Sequence, residues 1–500
     1  MQPEFAMSNG PVERAQSLVL RNTAYLGIAE LLTVPLSVVL NALLGRYLGP
    51  SNLGHIYFAT TICSAAMLAV GWGHSGPLPA EIARDPTRAG KLLGTSIAFR
   101  VAASLLAAGV LAIGCFALNV TAPQRWAIGL VFLASVAGTI VSACQDAIRG
   151  FERTDVAAYT RVGAQVLAAL LVIPVLLAGG GMRLTLLVQV LSGFLVLVLL
   201  MRALRPIGIT RLEWNRPLFN KLMLDGTPFV FFQLVLVLQP NIDAFYLAKL
   251  TAPNVVGWYA VSQRLGGFLV MPATALIGAL YPTLCRLYAT DREGFVRTTR
   301  ESIASVGLVG VPVVLGCALY PDIGVSIFGR EAFRPAEDTL RVFAVNLFFV
   351  YFSMPIGTAL LAAGRQRIWT VVQLICVANS LVLDPILIQH FQERTGNGGI
   401  GLPVTATISE LIMVAAGIAL MPKGVFDRSL AKSQLIAMLA GAAMAGAAFL
   451  LQRIPSLLAA ALAALTYGAA LYCMGAIKRE QLAWLWAALR RKLQRKVATG

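Results

Sequence analysis

The sequence is poor in charge. Only 13% of its 500 residues are Asp, Glu, Lys or Arg, against roughly 25% in a soluble domain, and this excludes an ordinary soluble fold. Acids are scarcer than bases, 23 against 40. Histidine is nearly absent: His55, His74 and His390 lie far apart and no HExxH occurs, so the zinc-hydrolase signature is missing. The seven cysteines (Cys63, Cys115, Cys144, Cys285, Cys317, Cys376 and Cys473) are scattered without a CxxC. They outline neither a disulfide framework nor a zinc site and read as small buried side chains. No GxxxxGK[ST] exists, so the chain does not use ATP through a P-loop. The start, "MQPEFAMSNGPVERAQ", lacks a short apolar core followed by a small-residue cleavage site, so the first apolar segment is expected to be a retained span. No metal ion and no cofactor are expected.

What is abundant is apolar sequence, 58% of all residues. Runs of about 20 apolar residues recur, each long enough to cross a hydrocarbon core about 30 Å thick. A β-barrel would show short alternating segments instead. We read fourteen spans, at 22–45, 54–76, 92–117, 126–148, 157–178, 184–204, 225–248, 255–284, 302–320, 337–362, 368–390, 400–421, 433–451 and 456–476. No segment between them is long enough for a folded soluble domain, so any chemistry lies within the membrane or at its faces.

The net charge of +17 does not call for nucleic acid; it follows the positive-inside bias. With the N-terminus inside, 29 of the 40 Lys and Arg fall in inner segments and 8 at outer ends, with Arg100, Arg264 and Arg341 near membrane depth. Both termini are therefore expected in the cytoplasm. The last segment, "KREQLAWLWAALRRKLQRK", sets Trp484, Trp486 and Leu489 among cations, as in an interfacial helix on an anionic leaflet; a solvated helix is the alternative.

Two internal echoes appear. "RYLGPSNLG" (46–54) and "KLTAPNVVG" (249–257) share a basic residue, a Pro four later and a Gly four after that, at an offset of 203 residues. "GFER" (150–153) and "GRQR" (364–367) form a weaker pair at an offset of 214. Six spans separate the members of each pair, which describes two halves related by an axis along the membrane normal. The expected fold is an all-α polytopic membrane protein of about fourteen transmembrane helices: two pseudo-symmetric six-helix lobes plus two extra C-terminal helices. The expected boundaries are a cytoplasmic tail over 1–21, the first lobe over 22–204, a cytoplasmic linker over 205–224, the second lobe over 225–421, the extra helices over 433–476, and a basic tail over 477–500.

Polar residues inside the spans are the candidate functional groups, because an ionised side chain at the bilayer centre costs at least about 2.5 kcal/mol. Thr23, Glu30, Thr33, Ser37 and Asn41 share one face of the first span, and Gln239 and Asp243 are four apart on the seventh. Ser96, Arg100 and Ser104 line the third span; Asn346, Ser353 and Gly357 the tenth; Gln373, Ser380 and Asp384 the eleventh. Asp146, Arg264 and Glu410 add charges in the fourth, eighth and twelfth. These faces are expected to point inward, for interhelical hydrogen bonding or for a substrate path. Asp146 reads equally as interfacial, and Arg46 and Arg341 equally as helix-end anchors. An enzyme would need a convergent catalytic set, but the longest outer loop, "YPDIGVSIFGREAFRPAED", is short and has no paired metal-binding acids. An intramembrane cavity with both signs of charge, shared by two halves, has the form of a secondary transporter.

At this point the sequence resembles a known family. "RYLGPSNLGHIYFA" (46–59) is similar to the opening motif of oligosaccharide flippases, the polysaccharide-transporter branch of the multidrug/oligosaccharidyl-lipid/polysaccharide (MOP) exporter superfamily. "NIDAFYLAKLTAPNVVGWYAVSQRLGGFLVMPATALIGALYPTLCRL" (241–287) resembles its central segment, and "SIFGREAFRPAEDTLRVFAVN", "LLAAGRQR" and "GGIGLPVTATISE" its later landmarks, although Leu402 stands where a small residue is usual. The resemblance covers about residues 15–475. It implies two lobes around a central cavity, with the last two spans forming a hydrophobic groove for a lipid tail. It implies a polyprenyl-pyrophosphate-linked oligosaccharide flipped from the inner to the outer leaflet of the cytoplasmic membrane, driven by an ion gradient or the membrane potential. Arg264, Arg100 and Arg46 are then the expected ligands of the anionic head group, since a guanidinium pairs bidentately with phosphate. Asp243, Glu30, Asp384 and Glu410 are candidates for coupling to a proton or sodium ion or for pairing those arginines, with Asn41 and Gln239 as further polar lining. A polysaccharide polymerase and a chain-length regulator are the expected partners, beside membrane lipids. The alternatives are a lipid II flippase of the same superfamily, a multidrug/cation antiporter and, less favoured, a membrane glycan polymerase.

Overall fold

The computed structural model describes residues 11–329 and 331–476. The interfacial helix expected over 478–496 lies outside the described residues, as does the side chain of Glu30. The described residues form helices and connecting turns, with no strand among them. The order is α1 (Pro11–Gly71), α2 (Pro77–Arg84), α3 (Ala89–Ala117), α4 (Ala122–Gly150), α5 (Thr154–Leu177), α6 (Met182–Leu204), α7 (Arg216–Leu250), α8 (Pro253–Thr290), α9 (Arg292–Leu319), α10 (Pro321–Gly329), α11 (Pro335–Ala362), α12 (Gln366–Thr395), α13 (Gly401–Leu420), α14 (Arg428–Leu450) and α15 (Ser456–Cys473).

Twelve of these are long and apolar enough to cross a membrane. About fourteen spans were expected, and two elements make the difference in number. The first two expected spans are both in α1, as two helical segments that meet at Gly49 (φ 78, ψ 171), a conformation that suits only glycine. Pro50 then opens the second helical segment, where its missing N–H costs nothing. The other difference is α7, 35 residues long and about 52 Å at 1.5 Å per residue, whose composition includes Asp225, Asp243, Pro228 and Pro240.

Two short helices were read as loops in the sequence. In α2, Pro77, Leu78 and Ile82 are buried on one side, a spacing that makes an eight-residue piece amphipathic. The α10 helix occupies half of the expected outer loop and buries Pro321, Val325 and Phe328.

The chain divides into two compact units, Met1–Gly257 and Trp258–Gly500, the division falling within α8. In the first, α4 packs on α1 and α6, α5 on α1 and α6, and α7 on α1, α2 and α3. A cluster of Leu78, Ile82, Leu92, Leu93, Ile148 and Leu204 ties α2 to the ends of α3, α4 and α6. In the second unit, α11 packs on α9 and α13, and α12 on α13. The last two helices dock on α9: the Tyr467 hydroxyl donates to the Leu308 carbonyl at 2.7 Å and Gln434 Nε2 to Ile303 at 3.3 Å. Ala437, Ala440, Gly441, Met444 and Ala448 are buried along one stripe of α14, and all but Met444 are small residues of the kind that let helix backbones approach where lipid offers no hydrophobic driving force.

Both sequence echoes have local structural counterparts. Pro50 and Pro253 each open a helical segment, and Gly54 and Gly257 each stand one turn later. In the weaker pair, the turns after α4 and α11 close alike. Arg153 N donates to the Ile148 carbonyl at 3.3 Å and Arg365 N to Leu360 at 2.9 Å, the six-to-one bond of a Schellman cap. Glu152 (φ 58), not Gly150, takes the left-handed position that Gly364 (φ 71) holds, so the register differs by two residues from the sequence pairing.

Candidate functional site

The first unit holds a buried polar cluster at α3 and α4. Arg100 is 2% exposed. Its Nη1 donates to the carbonyl and hydroxyl of Thr139 at 2.7 and 2.6 Å, and its Nε reaches the Ser96 hydroxyl at 3.4 Å. Ser96 also lies 3.0 Å from Nδ1 of His74, and the Ser104 hydroxyl donates back to the Arg100 carbonyl at 2.7 Å. Nη2 of Arg100 is buried without a hydrogen-bond acceptor. Asp146, fully buried on α4, pairs with Arg149 and is near enough to Arg100 to act on it electrostatically. The Ser96, Arg100 and Ser104 face read from the sequence therefore assembles as expected. His74 and Thr139 join it without a sequence signal: one sits in a turn, the other is a lone threonine in an apolar span.

The second unit carries two acids, Asp384 and Glu410, among polar side chains of α11, α12 and α13. Asp384 is fully buried, with Ser380 one turn earlier on the same helix and 1% exposed. Glu410 on α13 is half-buried and lies beside the Ser353 hydroxyl of α11. Asn379 Nδ2 donates to the Ser409 hydroxyl at 3.0 Å. The structure thus brings Glu410 to the Ser353 stripe that the sequence had placed on another span. Asn379 and Ser409 were missed, because a single amide and a single hydroxyl in apolar helices give no periodic pattern.

The remaining candidates are dispersed. Arg46 is exposed next to the break at Gly49. Asn41 is half-buried and turns back to donate to the Ser37 carbonyl at 2.8 Å, and Thr33 likewise donates to Ala29 at 2.8 Å; such i−4 bonds satisfy polar side chains inside their own helix. Gln239 and Asp243 are half-buried on α7, with Asp243 Oδ1 wholly out of solvent. Arg264, half-buried on α8, has Nη1 wholly out of solvent. Asp243 belongs to the first unit and Arg264 to the second. Arg341 is an exposed helix-end group paired with Asp338 at 2.6 Å and Glu337 at 3.6 Å. Among the described residues no three His, Cys, Asp or Glu side chains come together as a metal site would require.

One apolar feature accompanies these groups. A cavity of about 510 Å³ opens between α9, α11 and α14, walled by Val311, Leu315, Val345, Phe348, Gly441 and Ala445 among others. Its walls present carbon almost throughout, so it suits a hydrocarbon chain and no polar ligand.

The profile of the polysaccharide biosynthesis protein family matches residues 19–288 of this sequence, and that of the MatE family matches residues 228–386. No curated protein sequence matches it. Similar solved structures include the lipid II flippase MurJ in an inward closed conformation, at 14% identity, covering 90% of this chain and 99% of that one, with a TM-score of 0.63. An inward-facing multidrug resistance MATE transporter of the MOP superfamily is 17% identical over 80% of this chain and 97% of that one, with a TM-score of 0.60. A MOP superfamily transporter from Pyrococcus furiosus, whose reversed pocket polarity suggests a different function, is 16% identical over 84% of this chain and 96% of that one, with a TM-score of 0.54. The fold is therefore that of the MOP superfamily.

Proposed function

The chain belongs to the polysaccharide biosynthesis protein family, and from that premise we propose that it flips a polyprenyl-pyrophosphate-linked oligosaccharide from the inner to the outer leaflet of the cytoplasmic membrane. The family match over 19–288 carries this reading. The chemistry supports it. A pyrophosphate needs cations along a path otherwise closed to charge, and the chain commits Arg100 and Arg264 to its spans, where an isolated charge is costly. Arg264 is the principal phosphate ligand in this reading, with Arg46 at a helix end as a second. Arg100, already engaged with Thr139, braces α3 against α4 and offers Nη2. Asp384 and Glu410, with Asp243 and Glu30, are the coupling acids for a proton or sodium ion, and Asn41 and Gln239 supply further polar lining. The cavity between α9, α11 and α14 takes part of the polyprenyl tail.

The second reading, a lipid II flippase, rests on the fold shared with MurJ; its substrate has the same pyrophosphate and tail. Loss of the chain separates the readings. An oligosaccharide flippase leaves lipid-linked repeat units on the inner leaflet while their synthesis in isolated membranes continues and cell-wall assembly proceeds. Arrest of cell-wall synthesis with intact surface glycan identifies lipid II as the cargo, and altered resistance to lipophilic cations alone identifies a drug exporter. Single repeat units reaching the outer face would mean a polymerase and would end the flippase reading.

A further inference from the structure

We propose that the second unit holds a glycerophospholipid with a primary-ammonium headgroup, its chain in the apolar cavity between α9, α11 and α14 and its headgroup in a polar pocket at the end of the same seam. Two helices set the seam. Val314 and Ala318 of α9 and Gly441 and Ala445 of α14 line the apolar cavity. Where α9 gives way to α10 and α14 to α15, a second cavity of about 310 Å³ follows, lined by Tyr320, Asp322, Gln452 and Ser456 among others. Ala445 lines both. Val345 and Met438 of the apolar part and Phe449 of the polar part are exposed, so the seam opens sideways to the bilayer.

The polar end decides the headgroup. The Tyr320 hydroxyl is wholly out of solvent and has no hydrogen-bond partner, although a buried tyrosine hydroxyl ordinarily finds one. Asp322 is half-buried and makes no ion pair among the described residues. Burial, and after it the charge of Asp322, push the Tyr320 phenol above its ordinary value, so the carboxylate lies within electrostatic reach of the ring. Gln452 and Ser456 add neutral donors. Arg453 adjoins Gln452 but is exposed and does not line the pocket. The pocket therefore carries one negative charge, no positive one and three side chains able to donate to oxygen. That set suits a zwitterionic headgroup: the ammonium donates charge-assisted hydrogen bonds to Asp322, and phosphate or ester oxygens accept from Tyr320, Gln452 and Ser456. It disfavours a pyrophosphate, which would meet Asp322 with no cation in the lining. An acid in the first turn of α10 also suits the helix dipole, but that role leaves the Tyr320 hydroxyl unanswered. In the orientation expected from the charge distribution this is the outer end of the seam, so the lipid is drawn from the outer leaflet.

The test is native mass spectrometry of the delipidated full-length protein, titrated with phosphatidylethanolamine or phosphatidylglycerol of identical chains. The parent should retain one phosphatidylethanolamine at a several-fold lower concentration than phosphatidylglycerol. Asp322→Asn and Asp322→Ser should each abolish that preference by weakening phosphatidylethanolamine alone. Tyr320→Phe should weaken both lipids several-fold and keep the preference. Ala442→Phe, in the wall of the apolar cavity, should abolish retention of either lipid. Equal retention of the two lipids by the parent would overturn the proposal, and so would tighter retention of phosphatidylglycerol, which means a site for anionic lipid. A preference that survives both Asp322 variants, or retention unchanged in Ala442→Phe, would place the lipid elsewhere and overturn it as well. No cargo is present in the assay, so its outcome is separate from whether the chain flips an oligosaccharide.

Discussion

Arg100 and Thr139 join α3 to α4 through one guanidinium nitrogen that donates to both the carbonyl and the hydroxyl of the threonine. Hydrogen bonds to charged groups are worth roughly 1.5–3 kcal/mol each. Arg100→Ala should lower the thermal stability of the purified protein markedly, and Thr139→Val, which keeps the carbonyl, less so. Arg100→Lys should recover part of the stability. If Arg100→Ala accumulates and melts as the parent does while transport is lost, its role is substrate binding and not bracing.

Arg264 is expected to behave differently. Arg264→Ala should abolish transport at normal abundance, and Arg264→Lys should restore only part, because an ammonium keeps the charge but loses the bidentate fork. Asp243→Asn should be milder. The measurement is complementation of surface glycan, normalised to protein in the membrane. A fall in abundance for both single variants, with recovery in the charge-swapped double variant, would instead identify a structural ion pair.

The apolar cavity gives a prediction about the tail. Ala442 lies on its wall and is exposed, so Ala442→Phe should fill the cavity without entering the α9–α14 contact. Flipping of a long-chain polyprenyl substrate in proteoliposomes should slow several-fold, and a short-chain analogue should be spared. Equal slowing of both analogues would remove the tail from the cavity.

Outside the spans, Glu81 of α2 accepts hydrogen bonds from Lys221 of α7 and from Arg84. The Lys221 bond, followed by the attraction of its charge and by Arg84, holds the Glu81 carboxyl below its ordinary 4.5. A depressed carboxylate contributes stability above its unfolded value, and that contribution is lost as pH falls through the folded value. The loss should therefore lie below about pH 4.5. Lys221 is 47% exposed, so the effect is at most about 1 kcal/mol. Lys221→Met should lower the melting temperature slightly at pH 7–9, where the pair is intact, leave it nearly unchanged at pH 3, and so flatten the acid limb of the plot of melting temperature against pH.

Orientation is tested by reporters. A fusion within 205–216 or after residue 500 should read cytoplasmic, and one within 322–336 periplasmic. A cytoplasmic signal from the last would overturn both the fourteen-span reading and the assignment of inner and outer faces.

The sequence by itself determined the membrane class, the helical fold and the approximate span positions. Low charge and runs of 20 apolar residues leave the backbone no partner but itself in lipid. It also carried the internal repeat, because a Pro that opens a helix is a local requirement of the backbone, whereas the Gly one turn later answers to a carbonyl of another segment. The Ser96, Arg100 and Ser104 face was legible for the same reason: helical periodicity is a property of one segment. What the sequence left open depends on approach between segments. Nothing in residues 66–76 marks Trp72 and Gly73 as close backbone neighbours of Gly226, and a lone Thr139 or His74 has no period to reveal it. That the polar stripe of α1 is partly satisfied within its own helix, by Thr33 and Asn41, follows from rotamers that composition does not specify. The break between the first two spans was legible, since one expected span ends at 45 and the next begins at 54, but the sequence did not say that Gly49, with its positive φ, is the residue where the chain turns. Tertiary structure decided which carbonyl occupies the space each glycine leaves, since close backbone approach is a relation between two surfaces and neither surface alone encodes it.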